Sequence, residues 1–422
     1  MLNRSISKWA MVLLVINGVI GSGIFGLPKN AFKEVGIWSI AAFLVCAVAV
    51  FVIILCFAEV SSRFDKTGGP YLYALSSFGP IPAFLTGWLL LLTRFITYAA
   101  LINLLVTYLS VFSDWFTLPS ARIITIIGLT FFLAYINHVG VKNSTRVNNF
   151  LTIAKLLPLL LFIIVGFFFV KEENYKAVEF PAFGSFSSTV LLLVFAFGGF
   201  ESVLVNSGEV KDPEKNLPFS LLHAALIIAS IYMLVQIVSI GVLPTLASTD
   251  KPLADASKTM IGKTGAFIIT LGAMFSITGT LNAIMLVGSR LPFAFSEENQ
   301  FPKFFSFIHP KYKTPTWSLL LFMTITIVIS LNYDFLKAAS ISAITRVMIY
   351  AIVCTTLIIL RKKRPEQAGF FKIKYGSVFA VLGVLIAIWL LSSAKQKELI
   401  AVAIALGIGL VIYFITLAFK KK

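Results

Sequence analysis

The sequence predicts an all-α polytopic membrane protein, and three observations carry that prediction. Of 422 residues, 58% are hydrophobic, where a soluble domain has about 45–50%. Only 13% are charged, against a usual value of about 25%. The chain contains 40 phenylalanines, more apolar bulk than a water-soluble globule can bury. These features exclude a soluble enzyme, a disordered chain and a secreted disulfide scaffold. At roughly 20–25 residues per crossing, about twelve spans use most of the chain.

Apolar runs bounded by charges or by Pro/Gly turns fall at 9–27, 37–59, 82–112, 121–138, 147–170 and 186–206 in the first half. In the second half they fall at 217–243, 264–289, 316–333, 335–360, 376–394 and 398–419. Each is long enough to cross the hydrocarbon layer as a helix. The first run is too rich in glycine, and too well followed by further spans, for a cleaved signal peptide. Alternating ten-residue strands are absent, so a β-barrel is not expected.

An even number of spans places both termini on one side. The formal charge of +17 then reads as topology. Basic residues concentrate on the face that holds the termini, which makes that face cytoplasmic. Arg361-Lys362-Lys363-Arg364 and Lys420-Lys421-Lys422 are the densest basic clusters. They read as flanks that stop a helix from translocating, ahead of anionic lipid or nucleic acid binding; no nucleic-acid partner is expected. The expected location is the plasma membrane.

Cys46, Cys56 and Cys354 all lie inside spans at no metal-ligand spacing, so they are expected as buried thiols. His138, His223 and His309 are scattered, and no metal site is expected because zinc-type sites need clustered ligands. No Gly-x-x-x-x-Gly-Lys loop appears, which disfavours an ATP-driven pump. No cofactor is implied.

Two apolar runs carry glycine clusters well inside them. The first contains Asn17-Gly18-Val19-Ile20-Gly21-Ser22-Gly23-Ile24-Phe25-Gly26, and the sixth Phe195-Ala196-Phe197-Gly198-Gly199-Phe200-Glu201-Ser202. Glycine costs about 1 kcal/mol relative to alanine in a helix interior. Two such costs, five spans apart, fit an inverted repeat with one discontinuous helix opening each half. A half-helix that starts in mid-membrane exposes N–H groups suited to a carboxylate. One that stops there exposes carbonyls suited to an ammonium group. The alternative is that the glycines are packing notches between helices.

These residues, with others, resemble the amino acid–polyamine–organocation transporter superfamily. Phe57-Ala58-Glu59-Val60-Ser61-Ser62-Arg63-Phe64, followed by Gly68-Gly69-Pro70-Tyr71-Leu72-Tyr73, is similar to that family's junction between spans 2 and 3. Gly208-Glu209-Val210-Lys211-Asp212-Pro213-Glu214-Lys215-Asn216-Leu217-Pro218 resembles its loop after span 6, and Ser289-Arg290, Phe301-Pro302 and Thr314-Pro315 its loop after span 8. The resemblance covers residues 9–365. It implies the five-plus-five inverted-repeat fold of leucine transporters, within one transporter domain. Residues 1–170 and 186–360 would form the repeats, and 376–419 two accessory helices.

Carried over by position, Ser22 and Gly23 would offer amides to a substrate carboxylate. Val19, Phe195 and Gly198 would offer carbonyls to its amino group, and Phe195 sits where relatives place a gating aromatic. Ile24 and Ala196 complete the expected substrate-binding set. Phe197 and Phe200 have no such support and read as packing. In some relatives a lysine at the position of Lys155 points at the break in span 1 and takes the place of a sodium ion. Here it would donate to freed carbonyls near Gly18 or Gly21. It would either load and unload a proton or act as a permanent tether between spans 5 and 1.

Charges inside spans are costly and ask for a role or a partner. Arg94 in span 3 and Arg346 in span 10 are less usual for the family. They would pair with carbonyls or with Glu201, the one acid placed deep in a span; Arg94 could instead reach a substrate carboxylate. Glu201 would cap the second half of span 6, pair with an arginine or titrate. Glu59 and Arg63, four apart, read as a structural pair.

The expected activity is therefore secondary transport of amino acids by alternating access, with the lipid bilayer as the setting. Neutral, fairly apolar substrates are expected because no free acid is placed to read a cationic side chain. Proton coupling is expected over sodium on Lys155 alone. An exchanger or exporter of the same fold is the first rival. A transporter-like sensor or partner-dependent subunit is the second, disfavoured by the short loops and tail. No span shows the polar stripe of a channel, and no clustered catalytic set suggests an enzyme.

Overall fold

Residues 7–64, 68–139, 145–175, 179–204, 210–363 and 371–420 are described by a computed structural model. Gly208, Glu209, Arg364, Lys421 and Lys422, cited above, lie outside the described residues. Among the described residues there is no β-strand. The helices are α1 (Lys8–Val19), α2 (Gly23–Val35), α3 (Ser39–Ser61), α4 (Pro70–Phe78), α5 (Pro80–Leu109), α6 (Pro119–Val139) and α7 (Thr145–Gly166). They continue as α8 (Phe183–Phe197), α9 (Phe200–Val203), α10 (Pro213–Val242), α11 (Pro252–Glu297), α12 (Thr316–Asn332), α13 (Phe335–Lys363), α14 (Gly376–Ser392) and α15 (Gln396–Lys420). Among the described residues, seven helical stretches are long and apolar enough to cross a membrane, α2 and α3 counted together as one, and five shorter helices are also apolar.

Punctuation in the sequence sets many of these boundaries. α4, α5, α6, α10 and α11 each begin on proline, whose fixed φ suits the first helical position and whose missing N–H would have no partner there anyway. Helix α11 starts earlier than the apolar run at 264–289 suggested. Its first turns are a separate arm, since Ile261 and Gly262 leave helical geometry. Lys258 and Lys263 had hidden this arm from a reading based on hydrophobicity.

The centre of the molecule is α5, buried along most of its length and packed against α11, α12 and α13. Helix α1 rests on α7, α9 and α10, and α2 on α8. The exterior is apolar, with Phe168, Ile404, Ile408 and Val411 more than half exposed. That inverts the arrangement of a soluble protein and suits contact with hydrocarbon.

At one end of the bundle Glu59, on α3, is fully buried. It accepts from Arg63 Nη2 at 2.9 Å, from Arg361 Nε at 2.8 Å, from Arg361 Nη2 at 2.5 Å and from the Ile373 amide at 3.0 Å. The Glu59–Arg63 pair is thus present, and Arg361 is a partner of it as well as a flanking charge. This node ties α3 to α13 and to the approach to α14. Glu59→Gln keeps the shape but removes the charge. It is expected to cost about 1–3 kcal/mol, read as an earlier unfolding transition of the detergent-purified protein; an unchanged transition would count against the node.

Candidate functional site

Helix α1 stops because Ile20 turns extended (φ −72°, ψ 94°), with its own amide still bonded to Ile16 O. Ser22 then opens α2, accepting from the Phe25 and Gly26 amides at 3.0 and 3.1 Å. No acidic residue stands in the first turn of α2 and no side chain caps it. The leading amides of a helix have no partner within it, so those around Ser22, Gly23 and Ile24 head the half-helix. Among the described residues the buried Ser22 hydroxyl has no hydrogen-bond partner.

Helix α8 stops at Phe197, Gly198 is extended, and α9 begins at Phe200. Gly199 sits at φ +124°, a conformation that favours glycine. A Cβ at Gly199 would collide with the carbonyl oxygen of Gly18 and lie 3.3 Å from Val19 Cα. A Cβ at Gly23 would lie 2.5 Å from Ala196 Cα. The two broken segments therefore cross backbone to backbone. Glycine is required at both positions for close approach, and packing and discontinuity are joint consequences of one arrangement.

The expected substrate-binding residues Val19, Ser22, Gly23, Ile24, Phe195, Ala196 and Gly198 are all brought to this crossing, and all are buried. The Ala196 carbonyl is occupied by Tyr232 Oη at 3.1 Å. Phe195 meets Phe335 edge to face at 5.9 Å between ring centres. Phe197 packs edge-on against Tyr232, and Phe200 stacks on Tyr350, as packing roles require.

Lys155 is 1% exposed. Its Nζ donates to Asn17 O at 3.0 Å and Ile20 O at 2.8 Å. The lysine thus reaches the break in span 1, and its acceptors, Asn17 and Ile20, immediately precede Gly18 and Gly21, near which the acceptors were expected. Ser276 Oγ, on α11, also donates to Ile20 O at 3.1 Å. The free carbonyl end of α1 is thereby met by one cation and one hydroxyl.

On the other side of the crossing lies a charged cluster. Glu201 is fully buried; it accepts from the Gly199 amide at 2.9 Å, forms an ion pair with Arg346 and accepts from Tyr350 Oη at 3.4 Å. It thus both caps its half-helix and pairs with an arginine. Arg346 also donates to Thr97 Oγ1 at 3.2 Å and Ser342 Oγ at 3.4 Å. Arg94, 5% exposed, is close enough to interact electrostatically with Glu201 and Arg346. Tyr350, Ser342, Thr97 and Ser276 were missed from sequence. The first two were legible, because Ser342, Arg346 and Tyr350 recur every four residues and so share one helix face.

Two further expectations concern residues away from the site. Cys46, Cys56 and Cys354 are buried and unpaired thiols. The scattered histidines are partly gathered by the fold, His138 and His309 lying 5.1 Å apart between ring centres. Among the described residues no group of three metal-ligating side chains forms.

Comparison with known proteins follows from this geometry. The model of the family described as amino acid permease matches residues 6–418. The branched-chain amino acid permease BcaP of Bacillus subtilis (strain 168) is 30% identical over 436 residues, covering 98% of this chain and 93% of that protein. The methylthioribose transporter of the same organism is also 30% identical, over 98% of this chain and 93% of its own. Its serine/threonine exchanger SteT is 27% identical, over 100% of this chain and 98% of its own. A permease match along almost the entire length, on a chain of apolar helices interrupted where two glycine clusters cross, means that the protein belongs to the amino acid permease family, within the amino acid–polyamine–organocation superfamily, and is a transporter rather than an enzyme.

Proposed function

We propose that the protein is a secondary active transporter that carries amino acids across the plasma membrane by alternating access. The observation that carries this reading is the crossing of the two helix breaks. The amides of Ser22, Gly23 and Ile24 would receive the substrate carboxylate, joined by the unpartnered Ser22 hydroxyl. The carbonyls of Val19, Phe195 and Gly198 would receive the ammonium group. Backbone dipoles can hold a zwitterion without a charged side chain, and irregular backbone at membrane depth is tolerated where it lines such a site.

The packing supports an inverted repeat of residues 1–170 and 186–360, followed by two accessory helices at 376–419. Helix α1 rests on α7 and α10; its counterpart α8 rests on α13 and α3. Helix α5 contacts α13 and α12, as α11 contacts α7 and α6. Each of these contacts has its partner when the halves are exchanged. All the candidate binding residues are buried, so entry requires the broken helices with α3 and α10 to rock against the rest. Twelve spans with both termini cytoplasmic complete this reading.

The charge around the crossing favours amino acids without a cationic side chain, neutral ones among them. Relatives named for branched-chain amino acids and for serine and threonine agree with that. Lys155 holding the free end of α1 supports proton coupling over sodium. Exchange is the second reading, favoured by the relative named as an exchanger.

The test is uptake of radiolabelled amino acids by purified protein in liposomes, with and without proton and sodium gradients. Gly23→Leu drives a side chain into the Ala196 backbone, and overpacking of this kind costs about 1–3 kcal/mol or more. Uptake is expected to fall at least about tenfold, the equivalent of 1.4 kcal/mol. Intact affinity in Gly23→Leu would remove the carboxylate assignment.

A further inference from the structure

Away from the helix breaks, the node built on Glu59 brings three elements to one end of the bundle. Arg63 and Arg361 both donate to Glu59, and Gly376, the first residue of α14, closes against them. A Cβ at Gly376 would collide with Arg361 Nη2 and stand 2.8 Å from Glu59 Oε2. The Ser62 hydroxyl, next along α3, donates to Phe371 O at 3.3 Å. The start of α14 is thereby fixed beside the ends of α3 and α13.

This end is rich in cations. Residues 361–374 hold Arg361, Lys362, Lys363, Arg364, Lys372 and Lys374 against one acid, Glu366. Lys362, Lys363, Lys372 and Lys374 are exposed. Behind them the Arg63 side chain is 7% exposed, and among the described residues its Nε and Nη1 have no hydrogen-bond partner. Tyr375 is 68% exposed, with Lys374 Nζ 5.4 Å from its ring centre. Tyrosine is favoured at the level of lipid headgroups.

An open groove of about 400 Å³ begins at the same place. It runs along α14 and is lined by Ser377, Val378, Val381, Leu382 and Leu385. Ser377 follows Gly376 directly, so the groove starts where the cations stand. From Ser377 to Leu385 the helix rises about 12 Å, close to the depth of one leaflet of a roughly 30 Å hydrocarbon layer. A basic flank that only stops translocation requires the cations but no groove.

We infer that this end of the bundle binds an anionic phospholipid, its phosphate against Lys372 and Lys374 and one acyl chain along Val378, Val381 and Leu385. Basic pockets at the cytoplasmic ends of membrane helices hold anionic headgroups by the same attraction. The buried Arg63 guanidinium adds positive potential behind the lysines without touching the lipid. A zwitterionic lipid brings no net charge to match the cations, and a free phosphate makes no use of the groove.

The full-length protein in detergent is titrated with phosphatidylglycerol and with phosphatidylcholine of the same acyl chains, and retained lipid is read in native mass spectra. Phosphatidylglycerol is expected to be held at least about tenfold more tightly and to raise the unfolding temperature. Equal retention of the two lipids would remove the headgroup site. Lys372→Gln with Lys374→Gln is expected to weaken phosphatidylglycerol at least about tenfold, because each lysine near an anionic headgroup contributes on the order of fivefold. The control is Lys420→Gln with Lys421→Gln, which takes the same charge from the other dense basic cluster. An equal loss there would make the attraction one of net charge and overturn the site. Leu382→Trp puts bulk into the groove and is expected to lower retention; an unchanged value would place the acyl chain elsewhere and refute the groove. Inorganic phosphate is expected neither to compete nor to stabilise, and full competition would assign the cations to a soluble anion. Crosslinking of two copies through Val381→Cys in the absence of lipid would give the groove to a second copy of the chain and overturn the proposal.

Discussion

Arg346→Met is expected to destabilise the purified protein by about 3–5 kcal/mol, because it removes the ion-pair partner of the Glu201 carboxylate in a dry interior. Glu201 is fully buried; without Arg346 it keeps the Gly199 amide, the Tyr350 hydroxyl and the electrostatic attraction of Arg94, but loses its direct ion pair. The sharper form of the prediction is the double variant Arg346→Met with Glu201→Gln. With both charges gone, Arg94 loses one attraction and one repulsion together, and neutral replacement of a buried pair is often close to neutral in stability. The double variant is therefore expected to recover most of the stability lost in the single one. The check is a double-mutant cycle in detergent, read by denaturant or thermal unfolding. Losses that simply add would mean that the two side chains are near each other without depending on each other.

That coupling also shows which features sequence reasoning reaches. The fold class was legible because apolar composition is a bulk property that one chemistry, burial in lipid, explains. The two breaks were legible because glycine clusters are rare in the middle of apolar runs. Their crossing was not: the contact of Gly199 with the Gly18 carbonyl joins positions far apart in the chain, and spacing along one segment carries no information on it. Lys155 was placed at the correct break, on carbonyls next to Gly18 and Gly21, though the sequence did not say which ones. Ile16 O is still claimed by the Ile20 amide, so Asn17 and Ile20 present acceptors one turn apart on the face that Lys155 reaches. Arg361 was read as a flanking charge because local pattern gives a basic cluster no distant partner. Its bond to Glu59 comes from the packing of α13 on α3. The four-residue recurrence of Ser342, Arg346 and Tyr350 could have been seen, since it needs only helical periodicity.

Lys155→Met is the variant expected to change the transport cycle most, and it separates two roles that share one geometry. In either role the Asn17 carbonyl loses the donor at 3.0 Å, while Ile20 O keeps Ser276 at 3.1 Å. Losing hydrogen bonds from a charged donor costs about 1.5–3 kcal/mol, so stability falls whichever role is correct. The pH profile discriminates. If the ammonium is only a tether, uptake falls by a similar factor at every external pH and the profile keeps its shape. If the proton on Lys155 is taken up and released during the cycle, the wild-type protein accumulates substrate more as external pH falls, and Lys155→Met shows a flat profile. Methionine fills much of the lysine's volume without a charge, so a flat profile would not be a packing effect. Sodium provides the control. An ammonium bridging the end of α1 and α7 keeps a second cation out by repulsion, so wild-type uptake is expected to ignore sodium. Uptake driven by sodium and indifferent to pH in the wild-type protein would assign the coupling to another ion and leave Lys155 as a brace.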